Sequence, residues 1–415
     1  LVTPMKDHQR YFPLLNENDD SLMPYFLLVR NGDDNHSENV IEGNKKVLVA
    51  RLEDAKFFYD IDTKDSLESY VDELNKLTFF EGLGSMYQKT QRLMELTGRF
   101  QEDLQLGDDI KVPLNRAAYL SKADLVTKMV IEFTELQGTM GKLYAKNSGE
   151  EDRIANAIKE QYMPVASGAE LPSSITGIVL SLADKLDSIV GLYAIERYVT
   201  GSQDPFGLRR AALGFINIIL ANNIDVDLNT LVNDALLVYT EVNGLPFDYD
   251  TTMEKTLDFF KDRLKNMMID EGIRYDVVNS VINTGHVNIL KIYQKAKAID
   301  SFVAEGDGAL EYFTRINNLT KGNNLTEVDE ALLENDLERS FYQEIVGLDQ
   351  GALQNEEDYI RELNTIASTM DIGNDYLDNT MINVDDERIK NNRIGMLNIL
   401  ANRLNEVFDI SEIVR

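Results

Sequence analysis

The sequence predicts a mainly α, multi-domain protein with a small α/β piece at its N-terminus, and three observations carry that prediction. Its 415 residues exceed what one domain usually holds, roughly 100–200. From about residue 61 onward, apolar residues recur at the three- and four-residue spacing of helices. Strand-like patterning is confined to the first 60 residues, which also hold three of the eight prolines (Pro4, Pro13 and Pro24). The expected divisions are 1–60, the end of an upstream α/β domain; 61–220, a helical domain; 221–300, a helical linker or body; and 301–415, a second helical domain.

Taken in order, Tyr25–Arg30 reads as a strand ended by Asn31-Gly32, and Asp33–Glu38 as a polar loop. Lys45–Tyr59 then reads as a helix. Ser66 is the expected N-cap of the next, whose Leu67, Tyr70, Val71, Leu74 and Leu77 share a face. Ile175, Ile178, Val179, Leu182, Leu186 and Ile189 mark another, entered through Pro172-Ser173-Ser174. Leu208, Ala211, Ala212, Phe215 and Ile219 mark a third. Further helices between 222 and 300 break at Asn243-Gly244-Leu245-Pro246, at Glu271-Gly272 and near Gly285, and Glu305–Gly308 is a loose stretch. The last helix follows Asp385-Asp386-Glu387, where carboxylates favour a first turn, and carries Ile389, Met396, Leu397, Leu400, Leu404 and Phe408 as its stripe. No internal repeat or low-complexity tract interrupts this pattern.

Composition excludes several function classes. Lys and Arg total 41 against 71 Asp and Glu, a formal net charge of −30, which argues against generic binding to nucleic acid and against a DNA partner. The absence of Cys excludes disulfides, thiolate metal sites and thiol nucleophiles, and agrees with a cytoplasmic location. No apolar run approaches the roughly 18 residues of a spanning helix, so no membrane role is expected. The chain opens on Leu1 without a signal peptide, which suggests a piece of a longer polypeptide.

The acidic pair Asp184/Asp187 sits on one side of an otherwise apolar helix, where carboxylates hold a metal, do acid/base work, or are satisfied by backbone donors or an Arg. Asp124, after Ser121-Lys122-Ala123, offers a second inward carboxylate. In helical HD phosphohydrolases a His, a His-Asp pair and a later Asp hold a divalent metal. Ala123-Asp124 would stand at the pair and Asp184 at the later Asp, but residues 37–285 contain no His. An imidazole-dependent metal centre is therefore not expected, and a metal-dependent HD-type phosphohydrolase is the disfavoured alternative. Glu81-Gly82-Leu83-Gly84-Ser85 lacks the third glycine and the Lys-Ser/Thr of a phosphate loop and reads as a turn. Met5–Phe12, with Lys6, His8 and Arg10 beside two aromatics, reads as a nucleotide or partner contact or as a terminal strand.

Nucleic-acid candidates lie later in the chain. Arg209 and Arg210 open a helix after Asp204-Pro205. Arg315, Asn318 and Lys321 occupy one segment, the first two on one face. Arg388, Asn391 and Asn392 share a face, with Arg393 near the apolar stripe. Guanidinium and amide groups are what recognition of unpaired bases and phosphates requires.

Several long stretches, in order, then resemble one family. They are Thr3–Pro13, Ala50–Tyr59, Lys122–Thr127, Phe133–Gly138, Leu182–Asp187, Thr200–Leu213 and Asp378–Arg393. Together they resemble the β subunit of the bacterial heterotetrameric (α2β2) glycyl-tRNA synthetase over nearly the whole chain, with an N-terminal portion missing. The resemblance implies a middle HD-like helical domain in which Asp124 and Asp184 are vestigial, and a C-terminal helical-bundle anticodon-binding domain. It implies no catalytic residue and no cofactor in this chain, with ATP and Mg used by the partner α subunit. It also implies two partners, that α subunit and glycine tRNA, with Arg315, Asn318, Lys321, Arg388, Asn391, Asn392 and Arg393 in the tRNA-binding segments. Where the family often reads Glu-His-Tyr, this chain has Glu160-Gln161-Tyr162, which removes a residual imidazole.

Overall fold

The computed structural model describes residues 9–19, 21–33, 35–199, 204–282, 287–304 and 308–414, together with Val2, Met5, Lys6 and Gly306. It is mainly α. The strands are two small antiparallel pairs, β1 (Phe12–Leu15) with β2 (Leu22–Leu27), and β3 (Thr78–Phe80) with β4 (Gly84–Ser85). The chain divides into two compact units, residues 1–218 with 231–253, and residues 219–230 with 254–415.

In the first unit, β1 and β2 lie against α1 (Ser37–Asp62) through a small core of Met5, Tyr11 and Leu48, flanked by Phe26, Leu28 and Leu52. The observed β2 starts and ends three residues before the expected Tyr25–Arg30, because Phe12 pairs with Leu27 and Leu15 with Leu22. α1 is longer than expected at both ends. His36, in a left-handed conformation (φ 57°), starts the helix inside the stretch expected to be a loop. Leu67–Lys76 is a 3-10 segment rather than an α-helix. Ser66 provides no side-chain cap; the first N–H, that of Leu67, is taken by Ser148 Oγ at 2.9 Å. Its expected apolar face persists as buried Leu67, Val71 and Leu74.

The core of this unit is built from α2 (Met86–Asp103), α3 (Lys111–Leu120), α4 (Lys128–Glu132), α5 (Thr139–Asn147), α6 (Asp152–Glu160) and α7 (Ile175–Ala194), with α2 packed on α3 and α7, and α6 on α5 and α7. α2 begins with a capping box, Ser85 accepting from Gln88 N–H while Gln88 accepts from Ser85 N–H. α7 starts where the Pro172-Ser173-Ser174 entry predicts, with Ser174 Oγ accepting the Gly177 N–H at 3.0 Å. A Cβ at Gly177 would collide with Glu160, so that position admits only glycine against α6.

α8 (Leu208–Ala221), α9 (Leu228–Asn243) and α10 (Tyr249–Asp270) follow, then α11 (Tyr275–Ile282) and α12 (Ile289–Ala304); the breaks at Asn243–Pro246 and Glu271-Gly272 fall between helices as expected. Gly285 lies outside the described residues. α13 (Gly308–Thr320), α14 (Asp336–Val346), α15 (Glu356–Ala367), α16 (Met370–Asn379) and α17 (Glu387–Val407) complete the second unit, with α13 packed on α17, α12 on α15 and α14 on α16. Asp386 caps α17 by accepting the Arg388 N–H at 2.9 Å. No described helix is long and apolar enough to cross a membrane.

The first unit is pinned by charge as well as by apolar packing. Arg92 of α2, fully buried, meets Asp187 of α7 at 2.6 Å, and Lys89 meets the same carboxylate at 2.8 Å. Arg92→Met would leave the 1%-exposed Asp187 with one cation, and is expected to destabilise this unit by about 3–5 kcal/mol in denaturant unfolding followed by circular dichroism.

Candidate functional site

Two regions carry candidate chemistry, one in each unit. In the first unit, α7 presents Asp184 and Asp187 one turn apart. Asp187 takes Arg92 through both oxygens and Lys89 through one, and Arg92 continues to Asn243 Oδ1 at 3.0 Å. Burial works against both charges, but the pair overcomes it: Asp187 stays below the usual carboxylate range and Arg92 above its ordinary value. Tyr239 of α9 donates to the Asp187 carbonyl at 2.9 Å and lays its ring 4.3 Å from the Arg92 guanidinium.

Asp184 is flanked by two ammonium groups, Lys122 Nζ at 3.0 Å and Lys89 Nζ at 3.1 Å. Burial pushes its carboxyl up, and these lysines pull it well below the ordinary value. Lys122 also sits 4.4 Å from the Tyr162 ring, and burial, opposed by Asp184, lowers its pKa. Asp124 lies in a 3-10 turn after α3 and accepts the N–H groups of Gly138 at 2.6 Å and Gly141 at 3.1 Å. A Cβ at Gly141 would stand 2.9 Å from that carboxylate, so the close approach requires glycine. Gln161 is buried and donates to the carbonyls of Ser121 and Ile158.

This donor set does not fit a divalent metal. The later Asp faces two cations, Asp124 is bound by backbone amides, and the third side chain is an amide turned to carbonyls. Among the described residues no group of three or more His, Asp and Glu is placed to hold a metal ion. His8 and His286 lie outside the described residues. The Gly82–Ser85 segment is the turn and second strand of the β3–β4 hairpin, so a short strand does precede it, and both glycines adopt positive φ (91° and 85°) to close the hairpin. In the Met5–Phe12 segment, Met5 and Tyr11 are core residues, and Tyr11 OH donates to Asn44 Oδ1 at 2.6 Å. Asp7 and His8 lie outside the described residues, as do Thr200–Gln203. Asp204 caps α8 through the N–H groups of Leu208 and Arg209, leaving Arg209 half-buried and Arg210 exposed.

In the second unit the expected RNA-facing residues separate into three situations. Arg315 turns to α16, donating to Asn374 at 2.9 Å and Asp378 at 2.6 Å, and keeps about a third of its side chain exposed. Asn318 and Lys321, at the end of α13, are exposed and line a cleft of about 350 Å³ together with Asn402 and Asn405 of α17. Arg388 is exposed at the other end of α17, 3.4 Å from its own capping Asp386. Fourteen residues separate Arg388 from Asn402, about 21 Å of helix axis, so the two expected clusters are not one site.

Asn392 and Arg393 face inward. Asn392 exchanges two hydrogen bonds with the Asp329 backbone, at 2.7 and 3.1 Å. Arg393 is buried against Glu338 at 2.6 Å and Glu334 at 2.7 Å, and donates to the Met381 carbonyl at 2.9 Å. Asn391 is half-buried between these and the surface. Sequence reasoning missed Asn402 and Asn405, although Asn398, Asn402 and Asn405 form a four-then-three stripe of amides on one helix face.

A family model described as glycyl-tRNA synthetase beta subunit matches residues 1–283. The chain belongs to that family. Three curated relatives named glycine–tRNA ligase beta subunit align over 418 residues: 42% identical in Clostridioides difficile (strain 630), 40% in Desulforamulus reducens and 38% in Syntrophomonas wolfei. Each alignment covers 100% of this chain and 60% of the relative, so the chain spans about 60% of the length of the curated relatives it matches. The family membership agrees with the resemblance read from Thr3–Pro13 through Asp378–Arg393.

Two outcomes follow from this geometry. Burial, opposed by the Gly138 and Gly141 N–H groups, lifts the Asp124 carboxyl from 3.8 to about 6, so the folded state binds its proton more tightly than the unfolded chain. That contribution to stability is lost as pH rises from about 4 to about 6 and is flat above. Asp124→Asn should remove this fall, read as urea midpoints at successive pH values. Arg393→Met, which strands the 1%-exposed Glu338, should cost about 3–5 kcal/mol, whereas Arg388→Ala should stay within about 0.5 kcal/mol in the same unfolding measurement.

Proposed function

We propose that this chain is a tRNA-binding part of a two-subunit glycine–tRNA ligase, positioning glycine tRNA for ATP-dependent aminoacylation at the active site of a separate α subunit. The observation that carries this reading is the identity of 38–42% along the entire chain with proteins named glycine–tRNA ligase beta subunit. The internal chemistry supports a role without catalysis by this chain. The paired carboxylates of α7, Asp184 and Asp187, are held below the usual carboxylate range by Arg92, Lys89 and Lys122.

On this reading the chain acts by position. Holding the tRNA so that its terminal ribose meets glycyl-adenylate turns a bimolecular encounter into an effectively unimolecular one, with no acid, base or nucleophile supplied from this side. ATP and Mg belong to the α subunit, and the setting is cytoplasmic. The RNA-facing residues are Asn318 and Lys321 at one end of the second unit's α17, and Arg388 with Asn391 at the other. Arg315 contributes its exposed edge, while Asn392 and Arg393 hold α17 in place rather than touch RNA.

The purified chain should bind glycine tRNA with an affinity that falls as salt rises. The slope of log affinity against log salt should shrink in the Lys321→Ala plus Arg388→Ala variant. It should show no glycine-dependent pyrophosphate exchange. Exchange by the chain without an α subunit, or no tRNA binding even at low salt, would sink the proposal.

A further inference from the structure

We propose that Asn31-Gly32, in the connection between β2 and α1, is a site of spontaneous backbone modification. Beneath the Arg30 guanidinium, the Gly32 nitrogen closes on the Asn31 side chain and leaves a mixture of aspartate and isoaspartate. The inference is independent of what the chain binds. The sequence holds two Asn-Gly pairs, Asn31-Gly32 and Asn243-Gly244, alike in chemistry but held differently by the fold.

The reaction needs a free side-chain amide beside a free backbone N–H. The Gly32 nitrogen gives up its proton and attacks Asn31 Cγ. As the new N–Cγ bond closes a cyclic imide, the Cγ–Nδ2 bond breaks and ammonia leaves with that proton. Water then opens the imide at either carbonyl, giving aspartate or isoaspartate with no oxidant or reductant. Glycine favours the attack because no Cβ shields its nitrogen.

Asn31 and Gly32 are both exposed, and neither the Asn31 amide nor the Gly32 N–H has a hydrogen-bond partner among the described residues. A Cβ placed on Gly32 would stand 3.0 Å from Arg30 Nη2, so the guanidinium overlies the reacting residue. A cation there favours the deprotonated amide nitrogen and the oxyanion formed as the ring closes. At the second pair both groups are engaged. Asn243 Oδ1 accepts from Arg92 at 3.0 Å, and the Gly244 N–H donates to the Thr240 carbonyl at 2.9 Å. Because Arg92 is fixed to Asp187, the Asn243 amide is released only when the core of the first unit opens. Conversion at Asn31 places a carboxylate beside the Arg30–Asp33 ion pair, 3.8 Å apart, and each isoaspartate adds a methylene to the backbone leading into α1.

The test incubates the full 415-residue chain at mildly alkaline pH and follows both pairs by peptide mass spectrometry, with isoaspartate resolved from aspartate by chromatographic retention. The Asn31 peptide should change from amide to acid about tenfold or more faster than the Asn243 peptide. In urea the two rates should converge, since unfolding frees Asn243. Arg30→Gln, at a partly exposed side chain, should slow conversion at Asn31 about threefold in the folded chain. Gly32 has no positive φ, and a Cβ there would meet only the tip of Arg30. Gly32→Ala is therefore expected to fold as the parent does and to lose most of the conversion. Equal rates at the two pairs in the folded chain, or an Arg30→Gln rate that matches the parent, would overturn the inference.

Discussion

The Arg92–Asp187–Lys89 contact is the constraint around which the first unit is arranged. A guanidinium and an ammonium taken out of water are tolerable only if a carboxylate is held against them, and Asp187 of α7 supplies it. Once α2 and α7 are joined there, the remaining groups fall into place around the pair. Tyr239 covers the guanidinium and reaches the Asp187 carbonyl, Asn243 takes the free Arg92 nitrogen, and Lys89 bridges onward to Asp184 and from there to Lys122. The Asp184 and Asp187 carboxylates are consumed in joining helices. The absence of His between residues 37 and 285 and the presence of these lysines therefore point the same way.

A similar logic organises the second unit. Arg393 is buried between Glu334 and Glu338 of the α14 segment, and Arg403 meets Glu362 of α15 at 2.5 Å. Two of this unit's cations are thus spent inside, on carboxylates of α14 and α15. What α17 offers outside is Arg388 at its start and amides near its end.

Much of the architecture was legible beforehand because helical periodicity is a local property. The α7 and α17 starts and the breaks at Asn243–Pro246 and Glu271-Gly272 all follow from residues read within one or two turns. Where local reading erred, a distant group intervened. Ser148 displaced Ser66 as the partner of the Leu67 N–H, the pairing of Phe12 with Leu27 moved β2 back, and His36 in a left-handed conformation opened α1 early. The site was less legible for the same reason. Arg388, Asn391, Asn392 and Arg393 are neighbours in sequence, yet successive positions turn by about 100° around a helix, so α17 exposes the first and buries the last two.

By itself, then, the sequence determined a mainly helical chain, its family and its acidity, since each depends on residue identity and short-range spacing. Only the tertiary structure decided which charged groups are neutralised internally. Burial makes an unpaired charge too costly to keep, and the partners that satisfy Asp187, Asp184 and Arg393 come from helices as many as 98 residues away in the chain. The same packing brought Asn318 and Lys321 beside Asn402 and Asn405, a juxtaposition that no spacing along one helix could specify.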